Sequence, residues 1–320
     1  MTGRQVWVWV LAVLLFAIPA EAAAEWVFWV NEHTDELGII DTATNELVAQ
    51  IQVGRHPHRI AVAPDGRTLY TANEKSRDIS IVDITDIRRP RLTGSIRSAR
   101  APYNLAFTPD GKELWVISEL SPRLQVLQAG TWEVLGEVPV GRIPAHLAIL
   151  PNGKKGYLAC RGDGTIWVLD IPGRKVLKTF PSARQVMGMV LHPDGKTLLV
   201  AEGIGNSLAL INTETDELER IGGLGQEIHH VAVSPDGGTA YVTARLDGRL
   251  VAVDLAGRKV KARLPLAKWP DNIVGSADGR FLYVTARGAD QVFVVDAAEW
   301  KVLKTFAGHH PHGLAIFPGR

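Results

Sequence analysis

Cysteine is almost absent: the 320 residues hold one, Cys160. A single thiol makes no disulfide within the chain and supplies no multi-cysteine metal site, and without a Cys-x-x-Cys-His no c-type haem is attached. Net charge is nearly absent as well. Thirty-five Lys and Arg against 34 Asp and Glu leave +1, whereas nucleic-acid domains carry a clear basic excess, so nucleic acid is not an expected partner. The chain also lacks a Gly-x-Ser-x-Gly elbow, a Walker loop, a dinucleotide fingerprint, a helical His-Glu-x-x-His and an oxygen-rich calcium loop. No segment shows a helical period.

One long apolar run occurs, Val6 to Ile18. It is shorter than the roughly 20 residues of a membrane span. With the cation of Arg4 ahead of it and small residues after it (Ala20-Glu21-Ala22 or Ala22-Ala23-Ala24), residues 1–24 are expected to be a secretory signal peptide. No cysteine lies at the cleavage point, so lipid anchoring is not expected. The mature chain, 25–320, is then a single periplasmic or secreted domain, a monomer without membrane contact. At this length about three quarters of the unfolded surface can be buried without help from disulfides.

What the chain has in abundance is repetition. A short apolar run ending in Pro-Asp-Gly or a relative returns at Pro64, Pro109, Pro151, Pro193, Pro235, Ala277 and Pro318, with spacings of 45, 42, 42, 42, 42 and 41. Regular spacing of this kind marks stacked supersecondary units. Within one unit, Ile60–Ala63 and Thr68–Ala72 flank a tight turn, and Ile79–Asp83 and Leu92–Ile96 follow, giving four antiparallel strands, A to D. Units of this size and content are blades of a β-propeller, which protects its sheet edges by radial repetition. Residues 26–53 read as strands B, C and D without an A, and Leu314–Phe317 as an A alone. The fold class is therefore all-β, a seven-bladed propeller whose last blade joins the two ends of the chain.

Tyr241-Val242-Thr243-Ala244, Tyr283-Val284-Thr285-Ala286, Pro139-Val140-Gly141 and the Pro-Asp-Gly turns together resemble the YVTN (YncE-like) family of β-propeller repeats over residues 26–318. The run Lys112 to Glu119 resembles a stretch of exported propellers that accompany quinoprotein, PQQ-dependent catabolism. These motifs imply the fold. They do not name a ligand.

The repeat supplies its own alignment. Loops before strand A and after strand B share the face around the channel mouth, where function is sought. One column there reads Arg55, Arg100, Arg142, Arg184, Gln226, Lys268 and His309. Either these groups serve local carbonyls and solvent, or they form an anion-attracting funnel suited to carboxylate or phosphate. Two columns ahead of strand A hold His58, Tyr103, Ala145, Met187, His229, Asp271 and His312, then Arg59, Asn104, His146, Gly188, His230, Asn272 and Gly313. The family often has glycine in the second of these, so the polar residues suggest a site. The column closing strand B (Glu32, Glu74, Glu119, Arg161, Gly203, Arg245, Arg287) predicts a bipolar mouth, acidic on blades seven, one and two.

The expected function is an exported binding or scaffold propeller that takes a small anionic ligand, a cofactor or a segment of a periplasmic protein partner. Two alternatives stand beside it. Resemblance to seven-bladed lactonases implies a hydrolase of sugar-acid or dicarboxylate lactones, with His229 or His58 as base, Glu74 or Glu119 as partner and Arg142 or Arg184 as carboxylate clamp. Resemblance to the d1-haem domain of nitrite reductases, which is eight-bladed, implies a tetrapyrrole. Ten histidines also admit a metal ion, with His58, His310 and His312 as candidate ligands.

Overall fold

The computed structural model describes residues 25–98 and 100–318. The expected signal peptide and Ala99 lie outside the described residues. Seven four-stranded antiparallel sheets form a closed ring. Blade one comprises Pro57–Val62, Thr68–Asn73, Asp78–Asp83 and Arg91–Arg97 as strands A to D, and the next five blades repeat that order. In blade seven, strand A is Pro311–Pro318 and pairs antiparallel with Glu25–Asn31, Trp26 facing Phe317 and Asn31 facing Pro311. Glu36–Asp41 and Glu46–Gln52 complete that sheet. Among the described residues the only helical element is the single 3-10 turn Arg287–Ala289, and no helix is long and apolar enough to cross a membrane.

Alternation along each strand sends one set of side chains toward each neighbouring blade. The result is seven apolar clusters, one between every adjacent pair of blades. The seam between blades six and seven, for example, packs Val27, Trp29 and Ile40 against Tyr283, Val292, Val294 and Phe306. The core is thus a ring of interblade layers, and the axis is left to strand A. The Pro-Asp-Gly turns lie on the face opposite the mouth, their glycines at positive φ as such turns require (Gly66 64°, Gly111 71°, Gly195 70°).

Strand A carries a local irregularity that shapes the axis. In six blades its pairing with strand B shifts register near the start: between Pro57 and Arg59, Pro144 and His146, Val186 and Met189, Ile228 and Val231, Pro270 and Ile273, and opposite Trp29 to Asn31. A bulge breaks the in-out alternation and re-aims side chains. That is why neighbours such as His58 and Arg59 both reach the channel.

The threonine of Tyr-Val-Thr-Ala locks this arrangement. Thr243 Oγ1 accepts from His230 N (3.0 Å) and donates to Asp271 O of the next blade (2.9 Å). Thr285 Oγ1 likewise accepts from Asn272 N (3.1 Å) and donates to His312 O (2.8 Å).

Candidate functional site at the channel mouth

The corner before strand A is left-handed at His56, Ile143, Gln185, Glu227, Trp269 and His310, with φ between 51° and 59°. Non-glycine residues there cost roughly 1 kcal/mol or more each. The corner carbonyl offsets part of that by accepting from the residue that closes strand B: Glu32 N to His310 O (3.2 Å), Glu74 N to His56 O (3.0 Å), Arg245 N to Glu227 O (3.0 Å), Arg287 N to Trp269 O (3.0 Å). These corner side chains, with the strand-B column, line the mouth.

The outer arginine column points elsewhere. Arg55, Arg100, Arg142 and Arg184 are exposed. Arg142 is 76% exposed at its side chain and pairs with Asp163 (2.7 Å), while Arg100 bonds Ser121 and stands 3.7 Å from Glu137. The funnel expected from this column is therefore not what lines the channel. Its positions turn outward because the left-handed corner immediately after them reverses the chain.

The mouth is also not split into acidic and basic halves. Arg161 pairs with Glu119 (2.8 Å), and Arg245 bridges Glu227 (2.7 Å) and Asp271 (2.8 Å), which in turn meets Arg287 (2.9 Å). The corner residue Glu227 and the strand-A residue Asp271 place carboxylates among the guanidinium groups that the strand-B column alone shows. Burial pushes the Asp271 and Glu119 carboxyls up, against the pull of those guanidinium groups.

Across the mouth stands a histidine cluster around Glu32, whose side chain is 1% exposed. Its Oε2 accepts from His310 Nδ1 (2.5 Å), with Arg287 Nη1 at 3.8 Å. Its Oε1 lies 3.3 Å from both His58 Nε2 and His312 Nδ1 but makes no hydrogen bond. His312 Nδ1 donates to the His58 carbonyl oxygen (3.2 Å). The His58 ring lies 4.0 Å from the Tyr103 and His312 rings, and His56 links to Glu74 at 3.3 Å. Burial drives His58, His229 and His312 well below the ordinary histidine range, so they are neutral near pH 7, and it pushes the Tyr103 phenol up to about 12.

Deeper in the channel lies Arg59, buried on blade one. It donates to Asn272 Oδ1 across blade seven, beside the Tyr103 hydroxyl. A Cβ on Gly313 would strike the His58 carbonyl and Arg59 Cα. Glycine there lets Arg59 pass. Gly188 plays the same part opposite, where a Cβ would fall on the His230 ring, whose edge meets His146 at 5.5 Å between centroids. His146 and His230 keep slight access to the channel yet sit within protein on all sides, and burial lowers both, His146 to about 3. Arg59 Nε, Asn272 Nδ2 and the Nδ1 atoms of His146 and His230 lack hydrogen-bond partners.

Expected residues are therefore sorted. His58, Arg59, Tyr103, His146, His229, His230, Asn272 and His312 meet in the channel, and Glu32, Glu119, Arg161, Arg245 and Arg287 ring the mouth. The lactonase trio is not assembled: His229 Nε2 faces Asp271 (3.9 Å), Glu74 serves His56, and Arg142 serves Asp163. The channel has no unpaired base and clamp around one point from those three. Cys160 is buried with its thiol pushed up to about 12, chiefly by burial, and is an inert filler. Missed by the column reading were His56, Glu227 and Trp269. The signal was present, since His56, Trp269 and His310 each precede the proline that opens strand A. A surface cleft of about 750 Å³ lies away from the mouth, among turn residues Pro109, Asn152 and Pro172.

The sequence profile of the YNCE-like β-propellers matches residues 11–155 and 112–315. The chain belongs to the YNCE-like β-propeller family. No curated protein matches it in sequence. Among solved structures, this YNCE-like propeller is similar to Kuenenia stuttgartiensis hydrazine synthase (21% identity, 85% of this chain and 92% of that one, TM-score 0.74). It is similar also to a Bacteroides fragilis protein described as a candidate 6-phosphogluconolactonase (16% identity, 93% and 99%, TM-score 0.77). A third is the dihydro-heme d1 dehydrogenase NirN in complex with DHE (14% identity, 91% and 74%, TM-score 0.70). At these identities the likeness is one of fold.

Proposed function

We propose that this YNCE-like propeller is an exported, monomeric binding protein whose channel holds a small anionic ligand. One observation carries the reading: Arg59 is buried, and its hydrogen-bond partner among the described residues is the neutral amide of Asn272. Every other guanidinium at the mouth has a carboxylate. Glu119 and Asp271 act on Arg59 only from beyond ion-pair contact, and a buried cation with no carboxylate in contact carries a desolvation cost that a bound anion offsets. Around it, Asn272 Nδ2 and Arg59 Nε supply free donors, and the neutral rings of His146 and His230 present either a donor or an acceptor. Arg59 and Asn272 are both more than nine-tenths buried, which favours a small carboxylate or oxyanion over a polymer.

Calorimetric titration of small mono- and dicarboxylates and of inorganic phosphate against wild type and Arg59→Met tests this. A charged hydrogen bond contributes about 1.5–3 kcal/mol, so the variant is expected to bind roughly 10- to 100-fold more weakly. Equal affinity in the two proteins would refute the reading.

A second reading draws on Leu120, Ile204 and Leu246, which follow strand B on blades two, four and five and are 78%, 57% and 59% exposed. These exposed apolar side chains suit a flat ligand with carboxylate arms, such as a tetrapyrrole. A Soret band on reconstitution with a haem would support it, and an unchanged spectrum would remove it.

A further inference from the structure

Glu32, His58 and His312 come from three separate chain segments and two blades, yet their donor atoms lie within 4.8 Å of one another. We propose that they form a three-ligand site for a first-row divalent cation of the zinc class. The site uses none of the groups of the Arg59 chamber and stands or falls separately from the anion reading.

The two oxygens of Glu32 are differently employed. Oε2 is held by His310 at 2.5 Å, with Arg287 behind it. Oε1, fully enclosed, has two imidazole nitrogens at 3.3 Å and a hydrogen bond from neither. Left so, a buried carboxylate oxygen is unsatisfied at a cost of about 1–3 kcal/mol or more. A shared cation removes the cost. Nitrogen and oxygen ligands bound at roughly 2.0–2.2 Å in tetrahedral array stand about 3.3–3.6 Å apart. The separation of His58 Nε2 from Glu32 Oε1, 3.3 Å, falls in that range.

His312 Nδ1 stands 3.3 Å from Glu32 Oε1 and 3.2 Å from the His58 carbonyl, and it serves as a ligand in the tautomer that carries the proton on Nε2, giving up its bond to that carbonyl when the cation binds. His310 fixes the carboxylate, and outer partners of this kind are worth about 10- to 100-fold in metal affinity. Two imidazoles and one carboxylate suit zinc and its neighbours better than calcium or magnesium, which take oxygen. Three protein ligands leave a further position for water or for an anion in the channel.

The test uses purified protein stripped with a chelator and titrated with Zn²⁺ or Co²⁺ alone. One ion per chain is expected, with the visible band of low-coordinate cobalt. Glu32→Gln and His58→Ala should each weaken binding by about 100-fold or more, and His310→Ala by about 10-fold, the scale of an orienting partner. Arg59→Met removes a neighbouring positive charge and should not weaken metal binding, while it weakens anion binding roughly 10- to 100-fold, which separates the two proposals. X-ray absorption of the zinc-loaded wild type should count two imidazoles and keeps the test decisive if a variant fails to fold. Absence of stoichiometric binding, unchanged affinity in Glu32→Gln and His58→Ala, or a spectrum without imidazole would each overturn the site.

Discussion

Arg142 and Arg59 carry the same group in opposite surroundings. Arg142 keeps Asp163 at 2.7 Å and remains 76% exposed, so water and a local carboxylate satisfy it. Exposed pairs of this kind contribute about 0–1 kcal/mol. The double variant Arg142→Ala/Arg184→Ala is therefore expected to leave channel-ligand affinity within about twofold in calorimetry, and a tenfold loss would restore the outer funnel. Which arginine matters was half legible in the sequence. Alignment of the repeats put Arg55, Arg100, Arg142 and Arg184 in one column and Arg59 in another, but both columns border the same loop. The separation depends on the left-handed corner at His56 and its equivalents, a conformation that histidine, isoleucine, glutamine, glutamate and tryptophan do not announce.

At the scale of the strand, the bulge of strand A and the threonine of strand B act together. The bulge turns two consecutive residues inward, and the threonine hydroxyl holds both the bulged strand of its own blade and a carbonyl of the next. Thr285→Val keeps shape but strands the Asn272 amide and the His312 carbonyl. Leaving such groups unpaired costs about 1–3 kcal/mol each. The variant should lose stability on that scale in denaturant unfolding, with an unchanged slope; a loss below about 0.5 kcal/mol would show that the hydroxyl is dispensable. The Tyr-Val-Thr-Ala phrase was legible as a strand, and its threonine as a folding residue. Its reach into the neighbouring blade was not, because the acceptors, the carbonyls of Asp271 and His312, are backbone groups that no residue type marks.

The whole molecule was the most legible level. The 42-residue spacing, the missing strand A at one end and the lone strand A at the other led directly to the closed ring of seven sheets that the structure has. What the ring adds is burial of titratable groups around its axis. His146 and His230 are held neutral, His146 with its pKa at about 3, below the ordinary 6.5. Between those values the unfolded chain binds the proton first. Stability from the neutral rings is therefore complete above about pH 6.5 and is lost as pH falls toward the folded value, by at most about 1.4 kcal/mol per pH unit for each histidine. Thermal melts should fall between pH 7 and pH 5, and His146→Gln/His230→Gln should flatten the slope. An identical slope in the variant would assign the effect to other groups.

Closure also decides what a ligand at the mouth would do mechanically. Glu32 lies just past the first strand and His312 within the last, and they face each other only because Glu25–Asn31 pairs with Pro311–Pro318. Anything gripping both would fasten the seam at which the ring is closed by strand pairing and apolar packing rather than by continuous chain. Occupancy would then act as a clasp, slowing the separation of Pro311–Pro318 from Glu25–Asn31 and with it the proteolysis of the opened ring.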